Sequence, residues 1–362
     1  MKTFITIIRW FVGLLFIFSG LVKANDPLGL SYKMQEFFEV WGWHSLNDYT
    51  LFLSLVMNIL EIGAGVAVII GWRAKWVNWF LLLLIVFFTF LTGYALFSGK
   101  IKTCGCFGDC LPLTPAMSFG KDLLLLVLIL FLLAVGSRIK PAVSDKAGTR
   151  WVLIFVVLTG LLQWYVLYYL PLVDCLPYKK GNNLIEQMQT PANAIPDSFS
   201  IVFRYKKDGK EVSFDQMSFP ADFDSTYEYI DRSDQLVRKG NGLTARIVDF
   251  SLQSMSGTDT TTAVLQQPGK YVLLFARDMS RVNSWRKDFE SFSASMKARN
   301  ISVTIVTADA SRAAELFPGT PLLKCDATVI KTAARVNPTY FLMEGALIRE
   351  KVSYNCLNTL KP

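Results

Sequence analysis

The sequence predicts an integral membrane, all-α helical bundle followed by a soluble α/β domain. Two observations carry that expectation. Hydrophobic residues make up 52 % of the 362 residues and charged residues only 18 %, too apolar a balance for a purely soluble chain. The imbalance is also local. Long apolar runs fall within residues 1–175, whereas 176–362 alternates strand and helix patterns like an ordinary soluble sequence.

Apolar segments long enough to span a bilayer occur at 4–22, 50–72, 76–98, 117–136 and 151–170. Each is expected as a helix, because backbone polar groups in lipid must be satisfied within the segment. Arg73-Ala74-Lys75 is a basic turn, and Arg138, Lys140, Lys146 and Arg150 cluster before the last span. The connections at 23–49 and 99–116 carry Asp26, Glu36, Glu39, Asp48 and Asp109, with few bases for their length. The positive-inside rule therefore puts Lys2 and the basic turns in the cytoplasm. The 99–116 loop and everything after Leu170 then lie outside. Val22-Lys23-Ala24 resembles a signal-peptide cleavage site, but Arg9 early in the run favours a retained helix. A net charge of +8 does not point to nucleic acid, since Lys and Arg form no stripe among stacking aromatics. The lipid bilayer is the expected partner.

Between the first two spans, Leu30, Met34, Phe37, Phe38 and Trp41 recur at helical spacing with charged residues between them. That predicts a helix lying on the membrane surface. His44, the single histidine, follows among Trp41, Trp43 and Tyr49, and reads as a bystander in an aromatic belt rather than a metal ligand. Arg9 and Glu61 lie inside spans, where charges face a partner or a water-filled cavity. Opposite span directions make an Arg9–Glu61 ion pair the plain expectation, and a proton- or quinone-linked role for Glu61 the sharper one. Lys121 and Asp122 open the fourth span, close to a cluster of cysteines.

That cluster is Cys104-Gly105-Cys106-Phe107-Gly108-Asp109-Cys110, which holds three of the chain's six cysteines. Cys104 and Cys106 are one glycine apart, so a disulfide between them closes a strained, easily reduced ring. Cys110 can bridge to either one and act as a resolving thiol. Metal binding is the rival, but only Cys106 and Cys110 have zinc-ligand spacing and a second pair is missing. Redox-active thiols come first, a structural disulfide second and a metal third. Cys175 lies on the same side of the membrane, and its pairing cannot be read from spacing.

In the soluble half, 178–196 is a polar linker. Residues 199–206 alternate Phe199, Ile201, Phe203 and Tyr205, and Asp208-Gly209 turns the chain into Val212 and Phe214, a hairpin within a small β-rich module. Beyond it come a strand at 271–276, a helix marked by Trp285, Phe289, Phe292 and Met296, and a strand at 301–307. Helical segments around 309–317 and 326–335 precede a closing hairpin at 339–352 through Glu344-Gly345.

Arg9 to Gly13, Phe16, Ser19-Gly20 and Lys23, together with Asn58 to Gly71, resemble the first two helices of DoxX-type membrane proteins. Cys104-Gly105-Cys106-Phe107-Gly108 followed by Lys121-Asp122 resembles the related MauE proteins of methylamine utilisation. This resemblance implies a four-helix membrane domain at 1–136, extended by a link and fifth span at 137–175. It also implies a role in forming or supplying disulfides in periplasmic partners, or in quinone-linked oxidation. Cys104, Cys106, Cys110, Glu61, Arg9 and Asp122 are then the redox-site candidates, with quinone the candidate cofactor. After a linker and β-module at 176–242, residues 243–362 resemble a thioredoxin-like domain of the membrane-tethered kind. In that family Pro338-Thr339 matches a cis proline beside the active site, which makes Asn337, Pro338 and Thr339 candidates for binding a partner protein. The family's Cys-x-x-Cys is missing, since Ala276-Arg277-Asp278-Met279-Ser280 stands in its place, so that domain is not expected to be catalytic. Cys325 and Cys356 are expected to pair with each other or stay buried. The whole architecture resembles Bacteroidota inner-membrane proteins, with the N-terminus cytoplasmic and the C-terminal domain periplasmic. A non-catalytic scaffold with structural disulfides is the competing expectation.

Overall fold

A computed structural model describes residues 2–101, 105, 107–195, 198–215, 218–238 and 240–361. The apolar runs form α1 (Lys2–Asn25), α3 (Thr50–Ile70), α4 (Ala74–Ser98), α5 (Pro115–Ala134) and α6 (Asp145–Tyr168), and α2 (Pro27–Val40) lies between the first two. The five long helices are apolar enough to cross a membrane. α6 begins six residues before the apolar run suggests, because the Ser144 side chain accepts from Ala147 N and caps a polar first turn.

Helices α1, α3, α4 and α5 share one core, in which Val12, Ala67, Leu81, Ile85 and Ile129 are buried. α1 and α3 approach closely at two glycines. A Cβ on Gly13 would lie 2.7 Å from the Gly65 carbonyl oxygen, and one on Gly65 would lie 2.8 Å from that of Gly13. Small residues permit such backbone contact where lipid provides no hydrophobic drive. α6 packs outside the four, tied to α3 by Asn58 Nδ2 donating to Gln163 Oε1 at 2.9 Å and by Gln163 Nε2 donating to Leu55 O at 3.3 Å.

α2 forms where the alternating pattern predicts, with Asp26 accepting from Gly29 N and Pro27 in the first turn. Its attachment is more polar than the apolar stripe suggests. Ser31 Oγ donates to Thr50 Oγ1 at 3.0 Å and Ser54 Oγ donates to Pro27 O at 2.7 Å, while Phe37 alone of the stripe is fully buried.

Packing divides the chain into two compact units, residues 1–181 with 251–362, and residues 182–250. The second unit contains α7 (Leu184–Met188), β1 (Ser198–Lys207), β2 (Lys210–Asp215) and β3 (Glu228–Arg238), with the strands antiparallel in the order β2-β1-β3. Asp208 and Gly209 both have positive φ, 51° and 78°, the conformation that a two-residue hairpin turn demands. Tyr205, Phe214, Phe219 and Phe223 pack together and give this small sheet its apolar layer. The polar linker expected at 178–196 is interrupted by α7, capped by Asn183.

The C-terminal part of the first unit holds α8 (Thr261–Leu265), β4 (Lys270–Ala276), α9 (Arg286–Lys297), β5 (Ser302–Thr307), α10 (Ala310–Leu316), β6 (Leu322–Lys324), α11 (Ala327–Ala333), β7 (Thr339–Glu344) and β8 (Leu347–Ser353). Its mixed sheet has the order β6-β5-β4-β7-β8, with β4, β5 and β6 parallel and β7 and β8 antiparallel. Trp285, Phe289 and Met296 cover Val272, Leu274, Ile305 and Tyr340 on one face. Trp285 caps α9 and Phe289 and Met296 lie on it, at the helical period read from the sequence.

Candidate functional site

Cys104 and Cys106 lie outside the described residues. Cys110, the third cysteine of the loop, forms a disulfide with Cys175, which follows α6. The structure thus commits the expected resolving thiol to the fifth span rather than to its loop neighbours. An acid precedes each half-cystine and meets a base from the α/β part. Asp109 Oδ2 accepts from Arg335 Nη2 at 3.1 Å, and Asp174 Oδ2 accepts from Lys351 Nζ at 2.7 Å. Arg335 also donates from Nε to both oxygens of Asp26 at 3.0 Å, and from Nη1 to Lys331 O at 2.9 Å. Burial works against the Arg335 charge, but Asp26 and Asp109 outweigh it and hold the guanidinium above its ordinary value. For Lys351 burial wins over Asp174, and its ammonium falls below the usual lysine range. One residue therefore joins the N-cap of α2, the cysteine loop and the segment after α11.

A cavity of about 470 Å³ opens beside this junction, lined by Tyr32, Lys33, Glu36, Gly105, Phe107 and Lys331 among others. Gly105 has φ +69°, and a Cβ there would lie 3.0 Å from Lys33 Cγ. A side chain at this position would be strained both by its backbone and by the lysine stem.

Below the loop, inside the bundle, lie two ion pairs, the first fully buried and the second partly so. Lys23 at the end of α1 pairs with Glu61 of α3, and Lys121 pairs with its neighbour Asp122 on α5. Asp122 Oδ2 also accepts from Thr92 Oγ1 of α4 at 3.0 Å. Four helices thus contribute to one polar cluster. Phe107 connects it to the loop, with the Lys121 ammonium 5.3 Å from its ring and the Phe18 ring tilted against it at 5.6 Å. Ser19, Glu61, Phe107, Lys121 and Asp122 line a common cavity of about 20 Å³. Among the described residues Glu61 Oε2 is buried with no hydrogen-bond partner. A polar cavity of that size has room for a water molecule. It has none for a quinone ring, so the residues around Glu61 do not fit the cofactor that the resemblance implied.

The expected Arg9–Glu61 pair does not form. α1 and α3 are neighbours, but Arg9 lies nearer the other end, where Nε donates to Val68 O at 2.9 Å and Nη2 to Ile69 O at 2.6 Å. It neutralises the carbonyl end of α3. Lys23 takes the role expected of Arg9. The sequence alone does not single out Lys23 as a charge within the bundle, and its 2 % exposure shows that it is one.

In the α/β part, the Asn337-Pro338 peptide is cis. Asn337 Oδ1 accepts from Arg277 N at 2.8 Å, Asn337 Nδ2 donates to Asp278 O at 3.2 Å and Thr339 Oγ1 donates to Val336 O at 2.6 Å. These bonds fix the 276–280 turn that stands where the thiols were looked for. Cys325 and Cys356 are both free thiols, not a disulfide. Cys325 follows β6 and Cys356 follows β8, on opposite edges of the five-stranded sheet. Four strand spacings of about 4.8 Å put them far beyond the ~7 Å Cα limit for a bridge. Burial, reinforced by Asp326, pushes the Cys325 thiol up to about 12. His44 lies exposed in a 3-10 turn, His44–Tyr49. Among the described residues no group of three or more His, Cys, Asp or Glu side chains is arranged to hold a metal.

Five apolar helices, a four-helix core with buried ion pairs and a mixed-sheet domain define a multi-span membrane protein with an α/β extension. Residues 1–136, the four-helix membrane part of the chain, match the family described as methylamine utilisation protein MauE. Residues 199–239, which hold the three-stranded sheet, match a domain of unknown function, DUF8463. Neither the curated proteins nor the solved structures give a match.

Proposed function

We propose that the chain is a membrane-bound thiol/disulfide exchange component serving protein partners on the periplasmic face of a bacterial inner membrane. Cys104 and Cys106 are the exchanging pair, and Cys110–Cys175 is the staple that fixes their loop. The observation that carries this reading is the buried cluster of Lys23, Glu61, Lys121 and Asp122 directly beneath Phe107. Ionisable groups at such positions are costly and mark function. A thiol attacks as its thiolate, and these acids and bases are suited to take its proton and return it to the leaving sulfur. The exchange balances without a further reactant. Two loop thiols become a disulfide, the partner's disulfide becomes two thiols, and two protons accompany the two electrons.

Glu61 and Asp122 are the proton-holding groups in this reading, with Arg9 left a structural role. The α/β part is read as thioredoxin-like from its strand order and from the Asn337-Pro338-Thr339 segment. Having no Cys-x-x-Cys after β4, it docks the partner rather than reacting with it. The basic turns at the other end of the bundle support reading its side as the one outside the cytoplasm.

A second reading, a non-catalytic scaffold, is favoured by the clasp itself, in which the disulfide and the Arg335 and Lys351 ion pairs join the loop to both halves. Alkylation of thiols in intact cells, with and without a brief pulse of reductant, separates the two. Exchange predicts that Cys104 and Cys106 shift between alkylated and protected forms. A scaffold predicts an unchanging pattern, with Cys106→Ser lowering folded yield and leaving periplasmic disulfides as they were.

A further inference from the structure

At the opposite end of the bundle from the cysteine loop, a groove of about 410 Å³ runs between α3, α4 and α6. Ile59, Phe80, Val152 and Val156 line it together with Gly63, Ala64 and Ala67, so its walls are apolar and three of its α3 positions are small. From Ile59 to Ala67 it follows α3 for about 12 Å at 1.5 Å per residue, and it continues to Trp72 beyond the helix end. That is roughly half of a ~30 Å hydrocarbon core, the depth of one leaflet. The groove ends at Trp72, Arg73 and Trp76, and Trp76 is 76 % exposed, as an interfacial anchor would be.

The charge at this end has one dominant sign. Arg73 pairs with Asp145 through Nε at 3.1 Å and Nη2 at 3.0 Å, and around them Lys75, Lys140, Lys146 and Arg150 are exposed. Five bases thus stand about a single acid. An occupant needs an apolar chain one leaflet long and a negative group at the level of the tryptophans.

We propose that this groove is a binding site for an anionic phospholipid, one acyl chain lying along α3 and the phosphate held at the Arg73–Lys75 turn. The site is independent of the thiol chemistry and stands at the other end of the molecule. Polybasic ends attract anionic headgroups; the groove adds a fixed seat for one chain.

The full chain, purified in detergent, is titrated with phosphatidylglycerol or phosphatidylcholine of identical acyl chains, and bound lipid is counted by native mass spectrometry. The expected result is one phosphatidylglycerol retained several-fold more strongly than phosphatidylcholine. Leu60→Trp, which fills the groove from a lipid-exposed position, and Lys75→Glu, which reverses the charge at its rim, should each abolish that preference. Unchanged elution volume and helix content show that both variants remain folded. Equal retention of the two lipids overturns the proposal, as does a preference that survives both substitutions.

Discussion

Two charged sites within the membrane bundle are built on opposite principles. Arg9 is satisfied by backbone, the terminal carbonyls of α3, and needs no acid. Lys23 pairs with Glu61 between α1 and α3 and Lys121 with Asp122 on α5, and among the described residues one carboxylate oxygen of Glu61 is left without a partner. The first arrangement caps a helix and leaves nothing to exchange. The second keeps titratable partners together against a residue of the cysteine loop. Burial alone does not separate structure from chemistry here; the identity of the partner does.

Breaking the second site should have the largest effect. Glu61→Gln leaves the Lys23 ammonium buried without a counterion, and removal of one partner from a buried pair costs about 3–5 kcal/mol. The expected result is a sharp fall in folded yield and in the midpoint of thermal unfolding in detergent. Replacing both partners, Lys23→Met with Glu61→Leu, should restore most of that stability while abolishing thiol exchange. Stability and exchange recovering together would make the pair structural, like Arg9.

Arg335→Met comes next. It strips Asp26 and Asp109 of their shared partner, at about 2–3 kcal/mol, and should loosen the α/β part from the cysteine loop. Limited proteolysis after α6 reads this out, with faster cleavage expected than for Lys180→Met, whose ion pair with Glu350 is exposed. Arg9→Leu should be milder, about 1–2 kcal/mol for the lost contacts to the end of α3, with thiol exchange unchanged.

The smallest effect contrasts the free thiols. Cys325, raised to about 12 from an ordinary 9.0, is buried and neutral, so maleimide at neutral pH should label Cys356 and spare Cys325. Because the fold favours the protonated thiol, its contribution to stability is complete below pH 9 and is lost as pH rises towards 12. Cys325→Ala should therefore flatten the decline in stability over that window.

The apolar helices, the helix between the first two of them and the succession of strands at 271–276, 301–307 and 339–352 were legible because each rests on periodicity within one segment. Apolar runs set where a helix lies along the membrane normal, but not which neighbour each face meets. Arg9 and Glu61 were both visible as buried charges. That Lys23 rather than Arg9 reaches Glu61 follows from the depth at which α1 crosses α3 at Gly13 and Gly65, a register set by packing. Arg335 and Asp109 are 226 positions apart in sequence, and no local pattern marks either as half of a junction. The cysteines show the same limit. Their clustering was plain, while the Cys110–Cys175 bridge and the separation of Cys325 from Cys356 depend on which ends of helices and edges of the sheet are close.

The most direct test of the exchange account is the oxidation state of Cys104 and Cys106 in native membranes. It is read by alkylation and mass mapping after the chain is mixed with a disulfide-bearing partner protein from the same envelope. The account predicts that both thiols become protected as the partner's disulfide opens, in equal amounts, with Cys110–Cys175 intact throughout. Thiols that stay alkylatable while the partner's disulfide persists would contradict it.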